Sequence, residues 1–153
     1  RLALVDRLGF DWTRLPGWRL RVEPPRDGFR GVTRPDERMI LVYRFEGSTL
    51  DDYVHVAAHE LGHAVDVTLL DDRDRARWLV ARGLARGGSN HVGWWVSSGA
   101  DDFSSGAGDW AESFAWARAP GSFASRLGPP PDAAQVALIH RLTGEASPTA
   151  GSG

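Results

Sequence analysis

The sequence predicts an α+β fold, with a small sheet near the N-terminus followed by helices. Three observations carry this. Short β-rich runs punctuated by Pro, Gly and Asp fill residues 18–43, and the apolar spacing turns helical after residue 49. The length of 153 residues suits one domain. We place that domain at 1–144 and a Gly, Ser, Pro and Ala-rich disordered tail at 145–153.

In order, Leu2, Leu4, Val5 and Leu8 read as a short helix or arm, stopped by Pro16-Gly17. Trp18 to Val22 alternates apolar and polar residues and reads as a strand ended by Pro24-Pro25. Asp27-Gly28 is a turn signal, Phe29 to Thr33 a second short strand, and Pro35-Asp36 the next turn. Met39 to Tyr43 is the clearest strand, and the three together predict a small antiparallel or mixed sheet. Ser48 and Thr49, followed by Asp51 and Asp52, open a helix over about 49–70. Asp71-Asp72 cap a second helix to about 86, with Ala76, Leu79, Val80 and Leu84 on one face and Gly87-Gly88 as the stop. Residues 87–108 have no period and read as a long loop, of the kind that is functional or mobile. A third helix starts near Asp109 and ends before Pro120, and a fourth covers about 132–143.

Composition excludes several function classes. Eighteen basic residues against twenty acidic ones give a net charge of −2, with no electrostatic footprint for nucleic acid. No apolar run approaches the ~18 residues of a membrane span. The absence of Cys excludes a disulfide scaffold, a thiol nucleophile and a cysteine metal site. Every basic residue is Arg, and Ala and Gly abound, which reads as GC-rich bacterial coding. The chain begins with Arg, so a trimmed start and a secreted or cell-envelope location are expected. A monomer is expected as well.

Residues 59–63 read His-Glu-Leu-Gly-His, an HExxH motif inside the longest predicted helix. Residues four apart share a helical face, with Cβ atoms ~5–6 Å apart. His59 and His63 can therefore reach one Zn²⁺, at bond lengths of about 2.0–2.1 Å. Glu60 is rotated ~100° from His59, where it can serve as general base for a water activated by the ion. Random placement of the five His and six Glu would yield this motif roughly once in 150 such chains. One Zn²⁺ per chain is expected.

A catalytic zinc site needs a third protein ligand and an open position. Asp66 and Leu69 stand where the longer metzincin pattern requires Gly and His, which excludes that pattern. His55 to His63 spans about 12 Å along the axis, so His55 is a neighbour or a packed residue. The ligand must come from another element. Asp109 and Glu112 lie on nearly the same side of the third helix, and spacing alone does not decide between them. Asp109 follows Gly106-Ala107-Gly108 and suits an N-cap. Glu112 lies among Trp110, Ala111, Phe114 and Ala115, where a carboxylate is costly to bury without a cation. These points favour Glu112 as ligand and Asp109 as cap or partner of a ligand, with His91 the outside candidate. Asp66 shares the face of the two His and is expected to orient one of them, its alternative being an ion pair with an Arg. Gly62 is expected to admit a close helix contact. Trp94-Trp95 either line a cleft or anchor the core, and His140 is expected to be structural.

The run HELGHAVD at 59–66, followed by ESFA from Glu112, resembles the gluzincin metallopeptidases. It is similar to the anthrax lethal-factor-like peptidase domains and to small secreted zincin-like proteins of high-GC bacteria with GAGDWAE-type motifs. The likeness covers roughly residues 50–120. It implies a zincin-like fold, zinc held by His59, His63 and Glu112, Glu60 as base, and a peptide or protein substrate. The strand at 39–43 resembles the zincin edge strand that pairs with substrate. The sequence departs from the lethal-factor-like pattern twice. Trp116 replaces an acidic residue that orients a ligating His, and Ser105 replaces a Tyr that steadies the oxyanion. His91, Tyr43 and Tyr53 are the candidates to replace that Tyr. The reading is zinc-dependent peptide-bond hydrolysis. The alternative is a zinc-binding module of the same fold, weak or inactive in catalysis, with a binding or envelope role. A Trp-lined glycan binder is a third possibility, resting on the seven Trp.

Overall fold

The computed structural model describes residues 2–84, 95 and 101–145. Helix α1 (Leu2–Leu8) and a 3-10 turn at Trp12–Arg14 lead into three strands: β1 (Arg19–Glu23), β2 (Gly31–Arg34) and β3 (Met39–Tyr43). They form one sheet in the order β1-β3-β2. The sheet is mixed: β3 runs parallel to β1, with Arg19 opposite Met39, and antiparallel to β2, with Gly31 opposite Val42. The most apolar run takes the centre because it can bury both faces. Ile40 and Val42 enter the main core, whereas Met39, Leu41 and Tyr43 form a second cluster with Val32 on the other face. This corrects the expectation of an edge strand at 39–43. β3 has a neighbour on each side; among the described residues β2 is an edge strand, and it lies beside the helix that carries His59 and His63.

Helix α2 (Leu50–Leu69) starts where the sequence placed it, with Thr49 and Asp52 forming a reciprocal capping box. Asp71 caps α3 (Asp72–Ala81) in the same way. That helix ends before the expected 86, because Gly83 turns left-handed at φ +68 and the Leu84 N–H folds back onto Leu79 O at 2.8 Å. Helix α4 (Gly106–Arg118) begins ahead of Asp109, since Ser105 is its N-cap and accepts from the Gly108 N–H at 3.0 Å. Helix α5 (Ala133–Thr143) closes at Gly144, φ +63. Glu145, expected to open the tail, is held by Arg118 and by the Thr143 hydroxyl. The loop expected at 87–108 is described only at Trp95 and from Asp101 onward; its remainder, with His91 and Trp94, lies outside the described residues, as does 146–153.

Helix α4 lies directly on α2. A Cβ at Gly62 would stand 2.8 Å from the Ala111 Cα, so only Gly permits this approach. The Trp110 indole donates to the Gly62 carbonyl at 3.0 Å, locking the crossing. Trp78, Trp110, Phe114, Leu61 and Ile139 fill the core around it. No helix among the described residues is long and apolar enough to cross a membrane.

Candidate metal centre

Successive turns of α2 present His55, His59 and His63 toward α4 and the turn before it. The Nε2 atoms of His59 and His63 stand 3.2 Å apart. A third donor completes the triangle: Asp102 Oδ2, 2.8 Å from His59 Nε2 and 3.2 Å from His63 Nε2. His59, His63 and Asp102 form a group that can hold a metal ion.

Asp102 opens a 3-10 turn, Asp102–Ser104, which Asp101 caps by accepting from the Phe103 N–H at 3.1 Å. The turn is fastened to the start of α4, where the Ser105 N–H and hydroxyl both donate to Asp102 O, at 3.0 and 2.8 Å. Gly108 makes room for it, since a Cβ there would fall 1.9 Å from that same carbonyl oxygen. Phe103 then packs edge-on against the His59 ring, with centroids 5.5 Å apart.

Glu112, expected as the third ligand, lies on the opposite side of His59. Its Oε2 is 2.8 Å from His59 Nδ1, and its Oε1 meets His55 Nε2 at 3.1 Å and the Ala124 N–H at 2.9 Å. Burial would push Glu112 up, but the His55 and His59 contacts and the Ala124 N–H outweigh it and hold the carboxyl down at about 2. An ionised Glu112 requires the proton of a neutral His59 on Nδ1. That leaves the Nε2 lone pair aimed at the cluster, the arrangement a metal-binding His needs. The cation that Glu112 was expected to need is thus replaced by imidazole and peptide donors.

In the metal-free protein one member of the cluster, His59, holds its proton tightly. Burial lowers the basicity of His59, but Asp102 and Glu112, with the charge of Glu60 nearby, raise it to about 10. Burial raises Asp102, yet its contacts with His59 and His63 hold it well below the usual carboxylate range. Glu60, nearly buried, does not touch the three donors. Its carboxylate lies on β2, where the Thr33 hydroxyl meets Oε2 at 2.7 Å.

The remaining expected residues lie elsewhere, each for a visible reason. Asp66 orients no His. Its Oδ1 accepts from Arg75 Nε at 2.8 Å and its Oδ2 from the Trp95 indole at 2.8 Å, so the Arg alternative holds and Trp95 is an anchor. Asp109 is neither cap nor partner of a ligand. It is fully buried and accepts from Arg82, the Trp78 indole and the Ser125 hydroxyl, because α4 starts a turn earlier than expected. The Tyr43 hydroxyl accepts from Arg26, on the far face of the sheet. Tyr53 bonds to the Phe45 backbone, and neither Tyr lines the site. His91 lies outside the described residues. Trp116 packs against Phe123.

Sequence reasoning missed Asp102. Its only signal was an acidic pair, Asp101-Asp102, at the end of an aperiodic stretch just before the Ser-capped helix.

The cluster opens into a cleft of about 780 Å³ between β2, α2 and the Asp102 turn. Phe29, Pro35, Val56, Val67 and Phe103 give it apolar walls, and Glu60 lines it as well. Such a cleft, mostly apolar with a few convergent polar groups, is what a binding site for an organic ligand looks like. No protein-family model, curated protein or solved structure matches this chain.

Proposed function

We propose that this chain is a metal-dependent peptide-bond hydrolase, with His59, His63 and Asp102 holding the ion and Glu60 acting as general base. The observation that carries the reading is the convergence of the three donor atoms within 3.2 Å of one another in a cleft that also holds Glu60. Zinc fits the donor set of two imidazoles and a carboxylate, since bonds of about 2.0–2.1 Å in a tetrahedron set the donors roughly 3.3 Å apart. A fourth position is left for the cleft side, as a catalytic site requires. When bound, the ion supplies Lewis-acid polarisation of the substrate carbonyl and acidifies water.

The protein's own residues do the rest. Glu112 fixes the His59 ring from behind. Glu60 takes the proton of the attacking water and returns it to the leaving amine. The free edge of β2 offers backbone groups to an extended peptide, and the apolar walls accept its side chains. Hydrolysis of a mixed peptide library by the metal-loaded protein tests this. Cleavage should vanish with chelator and in Glu60→Gln. A library left intact by the loaded wild type would refute the reading.

One observation favours the alternative, a metal-binding module without useful catalysis. No tyrosine lines the cleft among the described residues. Ser105, at the Tyr position of the lethal-factor-like pattern, is spent capping α4.

A further inference from the structure

We infer that Thr33 and Gly31 of β2 are positioning residues for the Glu60 carboxylate, an inference that rests on the reading of Glu60 as base. Residues 31 and 33 alternate with Val32, whose side chain joins the cluster on the far face of the sheet, so both face α2. Their height along the helix is fixed by register, Gly31 opposite Val42 and Thr33 opposite Ile40 on the central strand.

Each does something that no other explanation covers. The Thr33 hydroxyl lies 2.7 Å from Glu60 Oε2 and 2.8 Å from the carbonyl oxygen of the same residue. It has one proton to give. The carbonyl already accepts a helical N–H, so the hydroxyl serves the side chain. Gly31 is not among the glycines with positive φ, so its backbone does not call for glycine. A glycine inside a strand weakens it unless something must come close. Here the close neighbour is Glu60: a Cβ at Gly31 would stand 2.6 Å from both its Cγ and its Oε1. Gly31 leaves the space and Thr33 holds the carboxylate in it. The carboxylate is thereby held against the sheet edge, on the wall of the same cleft that the metal group lines.

Thr33→Val keeps the shape and removes the hydroxyl, Thr33→Ser keeps the hydroxyl, and Gly31→Ala fills the space. Crystal structures of the metal-loaded variants should show Glu60 against β2 in Thr33→Ser and released from it in Thr33→Val and Gly31→Ala. Metal affinity should stay near the wild-type value in all three, because Glu60 is not a ligand. In peptide hydrolysis, kcat should fall roughly 10–100-fold in Thr33→Val with KM nearly unchanged, the loss of one hydrogen bond to a charged group. Thr33→Ser should restore it. Glu60 found in its wild-type place in both Thr33→Val and Gly31→Ala would overturn the inference, as would an undiminished kcat in Thr33→Val. If wild type cleaves no peptide, the hydrolase reading fails, while the position of Glu60 in the variant structures still decides the roles of Thr33 and Gly31.

Discussion

Removing Asp102 and removing Glu112 should damage metal binding to different degrees, and the order of the two effects is the sharpest test of the site. Asp102 Oδ2 is one of three converging donors, 2.8 and 3.2 Å from the two imidazole nitrogens. Structural zinc sites bind with roughly 10–16 kcal/mol shared over four ligands, about 2.5–4 kcal/mol for each. Asp102→Ala should therefore cost roughly 60–700-fold in affinity, by the rule of about 1.4 kcal/mol per factor of ten. Part of this is offset, because Asp102 also raises the basicity of His59, and a less basic ring competes less for protons. Glu112 touches only Nδ1 of His59 and Nε2 of His55. Its loss frees the ring to rotate or change tautomer, a change worth typically about 10–100-fold. Competition titration with a fluorescent zinc chelator at neutral pH measures both variants. A larger loss in Glu112→Ala than in Asp102→Ala would refute this assignment and restore Glu112 as the ligand.

Other outcomes follow from the same geometry. Chelator should lower the melting temperature of metal-loaded protein by mass action, as differential scanning calorimetry would show. Metal must displace the His59 proton, so apparent affinity should rise about tenfold per pH unit from 6 to 9, with proton release visible by calorimetry in buffers of different ionisation enthalpy. In metal-free protein, the raised His59 stabilises fully below 6.5 and loses that contribution as pH climbs through about 10. The depressed Glu112 stabilises above 4.5 and loses its contribution as pH falls through about 2. Urea melts of metal-free protein across pH should therefore place the maximum between 4.5 and 6.5, and a maximum above 8 would contradict these shifts. Asp109→Asn leaves the buried Arg82 guanidinium without its ion-pair partner and should cost about 3–5 kcal/mol in the same melts, with the metal group itself intact.

What the sequence disclosed divides by the range of the interaction. Capping chemistry is local, so Thr49 and Asp71 mark helix starts that the structure reproduces. The His59–His63 pair was equally legible, because a helix fixes the relation of residues four apart. The third donor was not, since Asp102 reaches the cluster through a turn whose path depends on how α4 sits on α2. The argument for Glu112 is sound in its premise, but the structure sets the carboxylate against His59 Nδ1 and His55 Nε2 and not among the three converging donors. A buried carboxylate does need compensation, and Glu112 is 1% exposed. Two His and one peptide N–H supply that compensation in place of an ion. Asp109 failed for a related reason: its pairing with Arg82 depends on how α3 meets α4, which no sequence period encodes.

Three glycines carry the information that spacing could not. Gly31, Gly62 and Gly108 all lack positive φ, so none is there for its backbone conformation. At each, a Cβ would collide with one component of the site: the Glu60 side chain at Gly31, the α4 backbone at Gly62, and the Asp102 carbonyl at Gly108. Glu60, the helix that carries Glu112 and the turn that carries Asp102 are thus each seated where a side chain has been left out. Packing interiors are too dense to absorb an added methyl at no cost, and overpacking typically costs about 1–3 kcal/mol. Alanine at Gly62 gains about 1 kcal/mol in helix propensity and loses more to the 2.8 Å approach of Ala111 Cα. The net effect should therefore be destabilising, the reverse of an ordinary Gly→Ala change inside a helix. If urea melts instead show Gly62→Ala to be stabilising, then α4 does not press on α2 at that point, and the placement of Glu112 behind His59 loses its support.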